Sequence, residues 1–272
     1  MSFLSNTISF NNLAWYKRCP QAFFRKMNGE QGVLNETIAN AAKFGIAAEQ
    51  VWDMALSDNW FALTEGQARY KACFALATWD KKSSDKFMLK FNKCWSNLKD
   101  TIGTEYTCTL QPSYSIPVKD HHSADTYYIT GKFDYLLTDL PESDTPVILE
   151  CKSTSQKDSS DDFKMQVLHY CFMYNHFHKV IPKAYVFYTR LGAVVEYLFT
   201  KDELADYGQW LLTSLQDIIG RQLVIEEYDA KTGSYCFMCS YWKSCPTRQA
   251  EVRQGKESVL EQNYVKGLGL II

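Results

Sequence analysis

A chain of 272 residues, 46% hydrophobic and 22% charged, can bury a full core and has neither the polarity of a disordered segment nor the repeats of a fibre. Its formal net charge of -2 and isoelectric point near 6.2 exclude a general affinity for polyanions, so any nucleic-acid contact must be a local basic groove. No apolar run approaches the ~20 residues that span a bilayer, and the opening MSFLSNTISFNN lacks the basic and apolar regions of a secretory signal. The expected setting is therefore the reducing cytoplasm, without a membrane partner.

In chain order, NNLAWYKRCPQAFFRKMNG predicts a short helix, a break at Cys19-Pro20 and a second helix ended by Gly29. Proline suits the first helical position, which makes Cys19 the N-cap, where a thiolate gains from free amides. ETIANAAKFGIAAEQVWDMAL carries apolar residues at helical spacing and puts Glu49 on a long helix. Helical patterning continues from 60 to about 100, with Trp60, Trp79 and Trp95 as core anchors. From Tyr106 the period changes. YTCTLQPSYSIPV, TYYITGKFDYLLTDL and PVILECKST are rich in Thr, Tyr, Val and Ile and read as three strands. STSQKDSSDD, residues 153–162, reads as a polar loop. DDFKMQVLHYCFMYNHF is a helix opened by acids at its positive end. KAYVFYTR and AVVEYLFT are strands around a turn at Leu191-Gly192, and KDELADYGQWLLTSLQDIIGRQL is the last helix. This order describes an α/β core with a mixed sheet.

Glu150 and Lys152 are two apart on one strand and share a face, with Cys151 on the other. An ordinary surface ion pair has the same spacing. The neighbouring strand adds Asp134 in GKFD, where Gly131 permits a close approach. Asp134, Glu150 and the carbonyl of Cys151 form an oxygen set suited to magnesium or manganese, with Glu49 as a third acid from the early helix, or else facing solvent. A metal there lowers the pKa of water and stabilises charge on a phosphate oxygen, and Lys152 orients that water or neutralises the charge. Gln166 and Tyr170, four apart on the following helix, share a face from which to support Lys152 or touch a phosphate. His169 packs locally, and His176 and His178 are surface residues. Lys17, Arg18, Arg25 and Lys26 beside Phe23 and Phe24 are the best local patch for gripping a strand. The apolar end GLGLII either packs on the body or meets a partner.

Nine cysteines suit no disulfide framework, and six of them stand singly. Cys236, Cys239 and Cys245 are bunched in YCFMCSYWKSCPT as metal ligands would be, and a closed tetrahedral site needs a fourth donor. On spacing alone, four cysteines read as a zinc site.

GKFD, ECK and QVLHY resemble the GxxD, ExK and QxxxY motifs of RecB-like nucleases in the PD-(D/E)XK superfamily. Cys19 in YKRCP with the C-x2-C-x5-CP run resembles the iron-sulfur clamp of AddB-type helicase-nucleases and CRISPR-associated exonucleases. The likeness spans almost the whole chain, in the family's order. It implies a restriction-endonuclease-like mixed central sheet flanked by helices, with a helical insertion at 36–105, a nuclease core at 106–220, and an iron-sulfur subdomain formed by both ends, 1–35 and 221–272. It implies that Cys19, Cys236, Cys239 and Cys245 bind a 4Fe-4S cluster of structural role, and that Asp134, Glu150, Lys152, Gln166 and Tyr170 are the catalytic set. It further implies an exonuclease acting on single-stranded DNA, with a helicase, recombination or CRISPR adaptation partner. Many such relatives carry histidine where Glu49 stands here; a carboxylate is still a competent ligand. A non-catalytic DNA-binding or scaffold subunit and a zinc protein that binds RNA are the rival expectations.

Overall fold

A computed structural model describes residues 6–33, 36–77, 79, 81–119, 125–141, 143–153, 162–220, 230–231, 236, 239–241 and 244–247. Most of the polar stretch 153–162 and the terminal GLGLII lie outside them. The chain divides into two compact units, one of residues 1–40, 115–131 and 206–272, the other of 41–114 and 132–205. Among the described residues, no helix is long and apolar enough to cross a membrane.

The first unit is built on β1 (Thr7–Ser9), α1 (Phe10–Arg18), α2 (Pro20–Met27), the strands β3 (Ser113–Lys119) and β4 (Thr126–Lys132), and α7 (Lys201–Gly220). Its sheet has the order β1-β4-β3, with β1 parallel to β4. Ser9 caps α1 by accepting from the Asn12 amide, and Cys19 closes that helix and opens α2 at once, with Pro20 in the first turn. Phe23 and Phe24 are buried edge-to-face against each other and against Tyr16, whose hydroxyl bonds Asp217 on α7. The proposed strand-gripping patch is corrected here: α2 is amphipathic, and its two phenylalanines are the apolar face that builds the core, so neither can stack on a base.

The second unit contains α3 (Glu36–Ser57) from residue 41, a 3-10 turn (Trp60–Ala62), α4 (Glu65–Ala75), α5 (Lys81–Ile102), β2 (Thr107–Leu110), β5 (Tyr135–Thr138), β6 (Val147–Lys152), α6 (Asp162–His178), β7 (Lys183–Tyr188) and β8 (Ala193–Tyr197). Thr64 and Gln67 form a reciprocal capping box that starts α4. The sheet order is β2-β5-β6-β7-β8; β6 and β7 are parallel, and the other pairs are antiparallel. The parallel pair is joined through α6, as a crossover requires. This is the mixed α/β arrangement that the strand and helix order implied.

Two of the expected strands are each split. TYYITGKFDYLLTDL forms β4 and β5 with a bend at Phe133-Asp134, and YTCTLQPSYSIPV forms β2 and β3 with a break at Gln111-Pro112. Gln111 has φ +48°, and its amide donates to the Asp134 carbonyl at 2.8 Å, so the two breaks lie side by side. Proline cannot extend the ladder there. Trp52, fully buried, stacks on Phe91 of α5 and meets Phe187 of β7 edge-to-face, which fixes α3 and α5 to the sheet. Trp60 and Trp95 are buried and Trp79 partly so.

Candidate active site

Val147, Ile148 and Leu149 of β6 are an unbroken buried run, the pattern of a central strand covered on both faces. The strand then carries polar groups into the interior. Glu150 is only 3% exposed, and the Lys152 ammonium lies 2.6 Å from its Oε1. Gln166 Nε2 donates to the same oxygen at 2.8 Å and stands 2.7 Å from the Tyr170 hydroxyl. Lys152 Nζ sits 5.2 Å from the ring centre of Phe163, so Phe163, Gln166 and Tyr170, three and four apart, present one face of α6. Gln166 therefore supports Glu150 directly rather than Lys152. Cys151, between the polar pair, turns its thiol toward the apolar core.

Asp134 occupies the bend just before β5, not the strand itself. The antiparallel register of β5 on β6 sets Tyr135 opposite Leu149, which brings Asp134 beside the next residues of β6; its Oδ2 accepts from the Cys151 amide at 2.7 Å. Glu49 arrives on α3. At Gly45, one turn earlier, an added Cβ would come within 2.8 Å of Ser153 Oγ, so the missing side chain lets the helix pass against the end of β6.

Burial raises the pKa of Asp134 to about 8, with Glu150 next in effect and Glu49 also raising it, while Lys152 and the Cys151 amide oppose. Glu49 is raised too, by burial first, then by Asp53 and Glu150. Burial works against the charge of Lys152, but Glu150, by proximity and hydrogen bond, holds its pKa above the ordinary lysine value. Three carboxylates thus feel one another around one ammonium. Glu150 Oε2 is buried without a hydrogen-bond partner among the described residues, although Oε1 accepts from both Lys152 and Gln166. Such a lone pair costs free energy unless a cation or proton uses it. The donor set is all oxygen and anionic, which fits a hard divalent cation. Among the described residues, no three His, Cys, Asp or Glu side chains are drawn to the spacing of a formed metal site.

Three residues around the site, Asp53, Tyr135 and Phe163, are not evident from the motifs alone. Tyr135 donates to Asp53 Oδ1 at 2.8 Å, tying α3 to the residue next to Asp134. The signal was present: Asp53 stands four after Glu49 and shares its helix face. Phe163, three before Gln166, was legible in the same way.

The raised pKa of Asp134 has a consequence for stability. Between its ordinary value of 3.8 and about 8, the folded chain holds a proton that the unfolded chain has released, so stability falls as pH rises through that window. In chelator, thermal stability is expected to drop from about pH 5.5 to about pH 8.5, magnesium to restore it at the higher pH, and Asp134→Asn to flatten the slope. An Asp134→Asn slope equal to wild type would remove Asp134 from the carboxylate group.

A second cluster lies in the first unit. Cys19, 8% exposed, packs with Ala22 and Tyr241, and with Trp15 and Cys239 at its edge. The Val33 amide donates to the Ser240 carbonyl at 2.7 Å, Tyr241 Oη donates to the Glu30 carbonyl at 3.0 Å, and Arg25 Nη1 donates to Ser244 Oγ at 3.1 Å. Burial first, and then charge on Cys19, Cys236 and Cys245, push the Cys239 thiol up to about 11 against the Tyr241 backbone, so the other three thiols lie within electrostatic reach of Cys239. Four sulfur donors fit a soft metal or an iron-sulfur cluster, either of which would replace that repulsion with coordination. His169 is fully buried edge-on to Tyr170; His178 is exposed and bonded to the Tyr114 hydroxyl at 2.9 Å, and His176 is exposed as well.

The mixed sheet thus brings Asp134, Glu150 and Lys152 together at the end of its central parallel strand, with Gln166 and Tyr170 of α6 behind them. Residues 7–246 match the family described as the PD-(D/E)XK nuclease superfamily, and the chain belongs to it. No curated protein sequence matches. Among solved structures, the chain is similar to SSO0001 (11% identity, TM-score 0.41, covering 91% of this chain and 89% of that one). It is also similar to a candidate exonuclease from Eubacterium rectale (11% identity, TM-score 0.48, covering 83% and 84%).

Proposed function

We propose that the chain is a magnesium- or manganese-dependent deoxyribonuclease, an exonuclease hydrolysing single-stranded DNA from its ends, with a 4Fe-4S cluster on Cys19, Cys236, Cys239 and Cys245. The observation that carries the reading is the buried Oε2 of Glu150, without a hydrogen-bond partner among the described residues, on a carboxylate that acts electrostatically on Asp134 and Glu49, with Lys152 held beside it. Asp134, Glu150, the Cys151 carbonyl and Glu49 would hold the divalent ion. When bound, that ion lowers the pKa of a water and offsets charge on the phosphate. Lys152, kept protonated by Glu150, donates a hydrogen bond to the attacking water or to the phosphate oxygen on which charge develops. Glu150 Oε1 and the Phe163 ring fix where the ammonium sits; Gln166 fixes Glu150, and Tyr170 fixes Gln166. The cluster acts on folding, cross-linking residues more than two hundred positions apart in the chain.

The test is incubation of anaerobically purified protein with end-labelled linear single-stranded DNA, linear duplex and circular single-stranded DNA, with magnesium, manganese or chelator. Linear single strands are expected to shorten from their ends, circles to survive, and chelator to stop the reaction. Cut circles would replace the exonuclease with an endonuclease. Binding without cleavage under every metal would leave the scaffold reading in its place.

A further inference from the structure

We propose that the outward face of α5 is a track for the phosphate backbone of a single-stranded nucleic acid, leading into the cleft beside the β7–β8 turn. The proposal rests on the nuclease reading above and names a second contact with the same substrate, away from the carboxylates. Helix α5 carries six lysines and two aspartates in a chain whose net charge is -2, so positive charge is concentrated on this element. Its apolar face, with Phe87, Phe91, Cys94, Trp95 and Leu98 buried, packs on the core. On the other side Lys86, Lys90 and Lys93 are exposed, and at four and then three residues apart they form one stripe at 3.6 residues per turn. Asn97, four further on, extends the line, which is about 16 Å long from Lys86 at 1.5 Å per residue. Among the described residues, none of these three ammonium groups has a carboxylate within salt-bridge distance, which leaves them for a polyanion.

The stripe ends in an open cleft of about 430 Å³ lined by Lys93, Asn97, Asp100, Thr101 and the turn residues Leu191 to Val194. The cleft is closed tightly on one side. The Asn97 amide donates to the Gly192 carbonyl, and Gly192 has φ +61°, with an added Cβ reaching 3.1 Å from the Lys93 stem. The turn also connects to the carboxylate site. The Thr189 amide donates to the Lys152 carbonyl at 3.0 Å, and Cys94 Sγ donates to the Thr189 carbonyl at 2.9 Å. The β7–β8 turn therefore follows the end of β7 that lies beside the Lys152 end of β6, with α5 on the Cys151 face of the sheet. Lys93 at its mouth suits a phosphate, while Asp100, the Asn97 side-chain oxygen and Thr101 offer acceptors to the amino groups of an unpaired base. A duplex keeps its bases stacked and paired and cannot place one there, which favours a single strand.

The experiment compares wild type with Lys86→Gln/Lys90→Gln/Lys93→Gln and with the matching triple arginine variant. Binding of a fluorescent single-stranded oligonucleotide and of a duplex is followed in chelator across a salt series, and cleavage of a very short and a long single strand is followed with manganese. The glutamine variant is expected to bind the single strand about tenfold more weakly, with the slope of log K against log salt smaller by roughly 2, as three lost phosphate contacts require. Arginine should retain both, and the short substrate should be cut at the wild-type rate. Unchanged affinity and slope in the glutamine variant would overturn the track, whatever the nuclease does. An equal loss on duplex would overturn its assignment to single strands. Weakened binding by the variant of a wild type that cuts nothing would keep the track and remove the nuclease reading.

Discussion

Lys152→Ala is expected to lower cleavage by about 10³-fold while the protein stays folded. A preorganised cation beside the developing charge of a phosphate contributes on this scale, because the site is partly closed to water and reorganises little. Lys152 meets those conditions: its ammonium is held 2.6 Å from Glu150 Oε1, and Glu150 keeps it charged despite burial. A merely structural ion pair predicts something different. Removing one partner of a buried pair leaves the other charge uncompensated and destabilises the fold, yet the molecules that remain folded keep their rate. Comparing the rate per folded molecule with the melting temperature separates the two. Lys152→Arg retains charge without the same placement and should recover only part of the activity.

Loss of any of Cys19, Cys236, Cys239 or Cys245 to serine should bleach anaerobically purified protein and lower its melting temperature by on the order of 10 °C. Metal or cluster binding is coupled to folding when its ligands come from distant parts of the chain. Here Cys19 opens α2, and Cys239, near the far end of the sequence, feels the charge of Cys19, Cys236 and Cys245 alike. Wild-type protein should be brown and carry about four irons per chain. Colourless protein with zinc would retain the clamp and change its metal. Serine variants with unaltered colour, metal content and melting temperature would remove the clamp altogether.

The helices were legible because their signals are local. Pro20 and Gly29 bracket α2, Gly192 at φ +61° marks the β7–β8 turn, and Phe87, Phe91 and Trp95 repeat at helical spacing. The parallel strand was legible as an apolar run ending in Glu-Cys-Lys. The division into two sheets was not, since Gly131, Lys132 and Asp134 weaken the strand pattern between Thr126 and Thr138 without saying where the chain changes sheet, and the paired bends at Gln111 and Asp134 reveal the change. Strand β1 is three residues long, too short to show a period. Within the site, Glu150, Lys152 and Asp134 could be found by spacing, whereas the partners that hold them had to be seen in space. Gln166 reaches Glu150 across the crossover, and Tyr135 reaches Asp53 from a strand to a helix more than eighty residues earlier. The patch expected at Lys17, Arg18, Arg25 and Lys26 loses its aromatic half for the opposite reason: Phe23 and Phe24, its neighbours in sequence, lie on the buried face of α2, while the basic residues span α1 and α2.

The central claim is that Asp134 and Glu150 together hold the divalent ion that hydrolysis requires. Asp134→Asn/Glu150→Gln tests it most directly, because each change removes charge while leaving an oxygen for the Cys151 amide and for Gln166. Manganese binding and cleavage of end-labelled single-stranded DNA should be measured on the same folded preparation. The expected result is loss of both, with cleavage down by at least about 10³-fold. A double variant that binds manganese and cuts at the wild-type rate would contradict the account.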